Sequence, residues 1–199
     1  PVLLSRAIDL GTQDTAASLH DRLASLGGEL ILEILHWLSA IAPQARPAAL
    51  RDAARPQSPE GVTYAAKILK TEAQIDWQAG NVAVLRQIRA FNPAPGAYAL
   101  LAGQPVKVWQ AQPAAVVPTN RPAATVLQCS DAGIEVATGD GSVLLLQLQR
   151  PGGKRMSAAE FLRGKTVAPD VRFELPSRMN PAMLTNAIGK AAALDGAPE

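Results

Sequence analysis

Downstream of Gly96 the apolar residues stop recurring at helical spacing and begin to alternate. They do so in five short runs, at residues 97–101, 105–110, 125–129, 133–137 and 142–149. Alternation buries one side of each run and leaves the other to water or to a second layer. Ala102-Gly103-Gln104 joins the first two runs as a hairpin, and Asp140-Gly141 supplies turn chemistry between the last two. The glycines at 139 and 141 do not make a phosphate cradle, because neither a helix start nor a Lys-Ser/Thr pair follows them. Five short strands plus one intervening helix suit a small, partly open β-barrel. Leu144, Leu146 and Leu148 are expected to alternate into its core, and Cys129 reads as a strand thiol rather than a nucleophile. In the second run Val106 and Val108 face one way, Lys107 and Trp109 the other. A lysine beside a tryptophan suits contact with nucleic acid, and a tryptophan filling the barrel wall fits the same spacing.

Upstream of this region the rhythm is helical. Asn81–Ala90 predicts a helix with Asn81 as its cap, Val82, Leu85 and Ile88 on the apolar side, and Arg86 with Arg89 on a common side. Asn92-Pro93 ends it, since proline pushes the preceding residue out of the α region. Leu19, Leu23, Leu26, Leu30, Ile34 and Leu38 predict a longer amphipathic helix with Asp14 as N-cap. Gly27-Gly28 lies inside it; each glycine costs ~1 kcal/mol against alanine, so a break or kink is expected there. Val2–Leu10 reads as a strand. One strand and one helical pair cannot enclose a core, so residues 1–40 read as the end of a domain whose sheet lies elsewhere. Prolines 43, 47, 56 and 59 make residues 41–61 a tether with room for one short helical turn over Pro47–Ala54.

The net charge of +2 is unevenly spread. Residues 1–61 carry five Lys/Arg against seven Asp/Glu, residues 62–165 eleven against six, and residues 166–199 three against four. The excess of +5 sits on the sheet region, which suits a polyanionic partner. The one cysteine cannot form an internal disulfide, which fits a reducing compartment. No apolar run approaches the ~20 residues of a membrane span. His20 and His36 stand apart without a Ser, Cys or carboxylate at a diagnostic spacing, so they read as solvated or structural and no metal is expected.

Several longer blocks lie in one order along the chain. They are Thr63-Tyr64-Ala65-Ala66-Lys67-Ile68-Leu69-Lys70-Thr71-Glu72-Ala73-Gln74-Ile75-Asp76-Trp77, then Arg89-Ala90-Phe91-Asn92-Pro93, Pro95-Gly96-Ala97-Tyr98 and Val106-Lys107-Val108-Trp109. Val136-Ala137-Thr138-Gly139-Asp140-Gly141 and Gln149-Arg150-Pro151-Gly152-Gly153-Lys154-Arg155-Met156 complete the set. In these blocks the chain resembles the methionyl-tRNA formyltransferases, the first block matching the opening of that family's C-terminal domain. Tyr64, Ile68, Ile75 and Trp77 are expected to be packing anchors. The pattern departs at Pro122-Ala123-Ala124-Thr125-Val126, where the family carries a glycine, and that leaves the local turn open.

The resemblance implies an α+β fold. An OB-like small β-barrel with flanking helices spans residues 62–175, preceded by a linker (41–61) and the last strand and helix of a Rossmann-like formyltransferase domain (1–40). The tail (176–199), in which Asn180–Leu194 reads as a loose helix, runs past the family's usual end. It also implies transfer of a formyl group from 10-formyltetrahydrofolate to methionyl initiator tRNA, in the cytoplasm, by a monomer. The family's catalytic Asn, His and Asp, and the folate site, are expected upstream of Pro1, so this chain alone is expected to be inactive. The cations expected to hold tRNA are Lys67, Lys70, Arg86, Arg89, Lys107, Arg150, Lys154, Arg155, Arg163 and Lys165. Lys67 and Lys70 would share a helical turn. The basic, glycine-punctuated run Arg150–Arg155 would form a loop, followed by a helix capped by Ser157. A stand-alone RNA-binding module, or a folate-dependent formyltransferase with another acceptor, are the alternative readings.

Overall fold

The computed structural model describes residues 1–114, 120–164 and 167–176. Helix α1 (Ala16–Ser39) starts from a capping box. Thr15 Oγ1 accepts from the Ser18 amide at 3.2 Å, and Ser18 Oγ accepts from the Thr15 amide at 3.0 Å. Asp14 is therefore not the cap. It lies one residue earlier, accepts from the Gly11 amide at 2.7 Å and pairs with Arg22 at 2.6 Å. The Gly11 amide, then Ser18 and Arg22, hold its carboxyl below the ordinary range.

The expected break at Gly27-Gly28 does not occur, and α1 runs through both glycines. Helix propensity is a weak prior, and here the capped first turn and the leucines on either side outweigh it. The predicted strand over Val2–Leu10 reduces to one bridge, in which Val2 and Arg55 exchange backbone hydrogen bonds of 2.7 and 2.9 Å. Among the described residues no sheet lies beside it to extend the pairing. Residues 41–61, expected to be a tether, contain α2 (Arg46–Ala53), with proline in its first turn where a missing N–H costs nothing. Arg46 Nε reaches back to the Leu38 and Ile41 carbonyls at 3.0 and 3.1 Å and so closes the end of α1.

The rest of the described chain is a curled antiparallel sheet with helices packed on it. A single 3-10 turn, Lys70–Ala73, replaces the helical turn expected for Lys67 and Lys70; Lys67 precedes it in irregular backbone. Of the four expected anchors, Ile75 and Trp77 are buried, whereas Tyr64 is 95% exposed and Ile68 is also exposed. Helix α3 (Asn81–Ala90) buries Val84, Leu85 and Ile88, leaving Val82 in solvent. Its N-terminus is held from across the fold, by Asp140, whose Oδ1 accepts from the Asn81 amide at 2.7 Å. Asn81 is thus the first helical residue and not the cap. Its freed side chain accepts from Thr138 Oγ1 instead. Gly139 makes this possible, because its backbone lies against Gln78 and Ala79 with no space for a Cβ.

The sheet consists of β1 (Tyr98–Leu101), β2 (Gln104–Pro113), β3 (Val126–Ser130), β4 (Gly133–Ala137), β5 (Ser142–Gln149) and β6 (Arg155–Ser157). Their order is β1-β2-β5-β4-β3, with β6 beside the second half of β5. Ala102 and Gly103, at φ +51° and +72°, form the tight turn that matches strand twist. The five expected strands are present, and β6 is an addition: Arg155 belongs to it and not to the loop. Leu144 and Leu146 are only half-buried, while Val143, Leu145 and Leu148 fill the core. The reason is a bulge: the β2–β5 register slips around Gln110, and a slip of one residue exchanges faces. The turn at 122–125 forms without glycine, with Ala124 itself at φ +73°.

Residues 170–174 link the two edges of the sheet. Asp170 N donates to the Val126 carbonyl, Phe173 N to Ala124 and Glu174 N to Leu100, at 2.9, 2.9 and 2.8 Å. Phe173 stacks on Trp77, with ring centroids 5.4 Å apart, in a core completed by Ile75, Ile134 and Phe161. Helix α4 (Ala158–Gly164) is capped by Ser157 as expected. Ser157 Oγ accepts from the Glu160 amide, and the Glu160 carboxylate accepts from the Ser157 amide and hydroxyl. Residues Asn180–Leu194, expected to form a loose helix, lie outside the described residues.

Candidate nucleic-acid interface

Strand β2 places Lys107 and Trp109 side by side, and β6 brings Arg155 onto the same ring. The Arg155 guanidinium lies 3.6 Å from the Trp109 ring centroid and the Lys107 ammonium 5.3 Å from it. Each contact gains from the negative ring face, about 0.5–1 kcal/mol at an exposed site. Trp109 is only 7% exposed, so it is a wall residue and a seat for cations, with no face left for a stacked base. Its indole N–H donates to Gln149 Oε1 at 2.8 Å, and Gln149 Nε2 donates to the Gly153 carbonyl at 2.7 Å. This fixes the loop that carries Lys154 and leads into Arg155 at the start of β6. Lys107 Nζ donates to the Pro95 carbonyl at 2.9 Å. Gly96 permits the close approach: it sits at φ +89°, and a Cβ would lie 2.8 Å from the Trp109 ring.

Beside this cluster lies an open groove of about 480 Å³, with Lys70 and Lys107 at its rim and Pro95, Tyr98, Leu100 and Pro105 in its apolar lining. Lys70, Lys107 and Arg155 thus converge on one area, with exposed Lys154 next to them. Lys67 is exposed but comes from irregular backbone. Arg86 is exposed on α3, and Arg89 lines a second cavity of about 710 Å³ with Gln13, Thr15, Asn92 and Gln147. Arg163 is exposed on α4, and Lys165 lies outside the described residues.

Arg150 is placed differently. Its Nη2 donates to the Phe161 carbonyl at 2.7 Å and its guanidinium covers the Phe161 ring at 4.8 Å, so it braces α4 against the sheet. Among the described residues the other expected cations make no ion pair, whereas Arg121 pairs with Asp170. Unpaired cations keep their full field for a polyanion. Burial pushes the Cys129 thiol above its ordinary value, and its Sγ–H donates to the Val167 carbonyl. It is a wall residue. Among the described residues no group of three His, Cys, Asp or Glu side chains could hold a metal. Gln149 and Asn92, which set the geometry around Trp109, carry no sequence mark of a site residue. The signal available was only their place inside the ordered blocks.

The site thus sits on a curled antiparallel sheet whose two edges are joined by residues 170–174. Residues 67–166 match the family model described as formyl transferase, C-terminal domain, and the chain belongs to that family. Its relatives include the methionyl-tRNA formyltransferase of Variovorax paradoxus, 46% identical over 172 residues, covering 86% of this chain and 50% of the relative. That of Aromatoleum aromaticum is 46% identical over 178 residues, covering 89% and 52%. That of Ralstonia pickettii is 44% identical over 166 residues, covering 83% and 48%. The chain therefore spans about half the length of the curated relatives it matches. Among solved structures, a variant of HypX from Aquifex aeolicus shares the fold at TM-score 0.57 and 19% identity, over 79% of this chain and 27% of that one.

Proposed function

We propose that this chain is the tRNA-holding part of a methionyl-tRNA formyltransferase. In this reading residues 62–175 are an OB-like barrel, residues 41–61 a linker, and residues 1–40 the last segment of a Rossmann-like formyltransferase domain. The observation that carries the proposal is the pair of cations Lys107 and Arg155 on the Trp109 ring, neither in an ion pair, with Lys70 in the adjoining groove that Lys107 also lines. It lies in a domain whose relatives are methionyl-tRNA formyltransferases. Lys154 extends the cluster, while Lys67, Arg86, Arg89, Arg163 and Lys165 supply outlying phosphate contacts. Arg150 contributes by bracing α4. The intact protein would act in the cytoplasm as a monomer on initiator methionyl-tRNA. The 10-formyltetrahydrofolate co-substrate would bind in the upstream half and supply the formyl carbon that the amino group attacks.

The contribution of residues 62–175 is positional. Holding phosphates far from the reacting amine converts a chance encounter into a fixed geometry, and such preorganisation lowers the barrier without touching the reacting atoms. Binding of this kind is largely independent of sequence, and salt weakens it. The test replaces Lys70, Lys107, Lys154 and Arg155 with Gln together and measures tRNA affinity across salt concentrations. For every phosphate that is no longer neutralised, the log–log salt slope should fall by about 0.7 to 0.9. A folded quadruple variant with the parent's affinity and slope would refute the proposal. Sequence-selective binding to an unrelated RNA would instead favour a stand-alone RNA-binding module.

A further inference from the structure

Residues 1–61 meet the sheet domain through one hydrogen bond among the described residues. The Ala17 amide, in the first turn of α1, donates to the Asn92 carbonyl at 3.1 Å. Asn92 is also tied inward, because its Nδ2 donates to the Trp109 carbonyl at 3.0 Å. From Trp109 the connection continues through the indole N–H to Gln149 and from Gln149 to the Gly153 carbonyl, two residues before Arg155. Arg155 then returns to lie on the Trp109 ring. A continuous set of hydrogen bonds therefore runs from the start of α1 to the loop that presents the phosphate-binding cations. The Asn92 amide group is half-buried beside the cavity that separates Gln13 and Thr15 from Arg89 and Gln147.

We propose that Asn92 is a positioning residue for formyl transfer. It touches neither tRNA nor the reacting atoms. By joining α1 to the Trp109–Arg155 seat, it fixes where the phosphate-holding surface stands relative to the half of the enzyme to which α1 belongs. This inference rests on the function proposed above. A small displacement of that surface would leave tRNA bound, yet carry the amino group away from the formyl donor. Misplacement of about 1 Å from a change far from the chemistry can cost up to a hundredfold in rate.

Two substitutions in the full-length protein test it from opposite sides. Asn92→Ala removes the inward tie. Ala17→Pro removes the N–H that meets Asn92 and leaves the sheet domain unaltered; proline is tolerated in the first helical turn, where amides have no intrahelical acceptor. For each variant, kcat for formyl transfer is measured at saturating tRNA and formyl donor, and tRNA Kd is measured directly. The expected result is a fall in kcat of at least tenfold in both variants, with Kd within threefold of the parent. Unchanged kcat in Ala17→Pro, or weaker Kd with kcat at saturation intact, overturns the proposal. If Asn92→Ala does not fold, Ala17→Pro decides alone. If the quadruple charge variant binds tRNA as the parent does, the function reading itself has failed, whatever these two variants show, and the positioning role falls with it.

Discussion

Arg150 and Arg155 lie five positions apart in one basic run, and each covers an aromatic ring, yet their partners assign them different work. Arg150 donates a charge-assisted hydrogen bond to the Phe161 carbonyl in α4, whereas Arg155 meets only the outer face of Trp109. Arg150→Gln should therefore lower stability by about 1.5–3 kcal/mol and leave the salt slope of tRNA binding unchanged in the folded fraction. Arg155→Gln should cost no more than about 1 kcal/mol and lower that slope. Chemical denaturation paired with binding titrations separates the two, and equal stability losses would show the distinction to be wrong. Sequence alone does not draw it, because a run of cations between glycines carries no record of which carbonyl lies within reach after folding. The Lys107–Trp109 pairing was legible, since strand alternation puts residues two apart on one face. Glu160 offers a pH test at this scale. Hydrogen bonds from the Ser157 amide and hydroxyl hold its carboxyl below the ordinary value. A carboxylate depressed on folding stabilises above its unfolded-state pKa and loses that contribution as pH falls through the folded value. The α4 cap should thus weaken as pH falls below the ordinary glutamate value of 4.5 and through the lower folded one. Glu160→Gln should flatten that part of the acid unfolding curve, and an unchanged curve would show that the cap does not titrate.

At the scale of elements, the segment at residues 170–174 has the largest structural leverage for its length. It supplies backbone partners to Ala124 and Val126 at one edge of the sheet and to Leu100 at the other, while Phe173 enters the core against Trp77. It lies beyond the matched family residues and is too short and mixed in composition to read as a strand, so nothing in its sequence announced the role. Phe173→Ala should cost about 3–5 kcal/mol, the range for a buried aromatic truncated to a methyl group. It should also speed amide exchange at Glu174 and Val126, which donate across the two junctions. A loss under about 1 kcal/mol, with those amides still protected, would mean that the sheet holds its curl without this segment. Five strands and the helix α3 were legible because turn residues and spacing act locally. The core choice among Leu144, Leu145 and Leu146 was not, because the register slips where Leu146 is left without a partner between Gln147 and Leu145, and this irregularity in β5 resets its phase. Strand β6 escaped for a related reason: three residues after a glycine pair have no period of their own, and pairing with β5 creates the strand.

Across the whole molecule, cohesion is uneven. The sheet domain encloses Trp77, Ile88, Leu145, Phe161 and Phe173, whereas α1 has no buried residue and leaves Leu23, Ile31, Leu32 and Leu35 in solvent. The amphipathic pattern of α1 was legible in its leucines, and Leu19, Leu26, Leu30, Ile34 and Leu38 are half-buried, but among the described residues only one hydrogen bond joins residues 1–61 to the sheet. Helices in isolation are marginal even at favourable composition, because most of their stability comes from packing. In this chain α1 should therefore open without the sheet: its amides should exchange well before those of β2 and β5, which should wait for global unfolding. Gly27 and Gly28 give a perturbation confined to the weaker part. A Cβ at either would meet nothing within 4 Å, and both sit within regular helix. Each Gly→Ala change removes backbone freedom from the open state without adding a contact, which is worth about 0.5–1 kcal/mol to the helix. The double variant should raise helical circular dichroism and slow α1 exchange several-fold while the Tm of the sheet domain stays fixed. If the sheet's Tm rose in step with α1 protection, the two parts would be unfolding as one unit, and the single Ala17–Asn92 hydrogen bond would be accompanied by a far stronger coupling than its geometry provides.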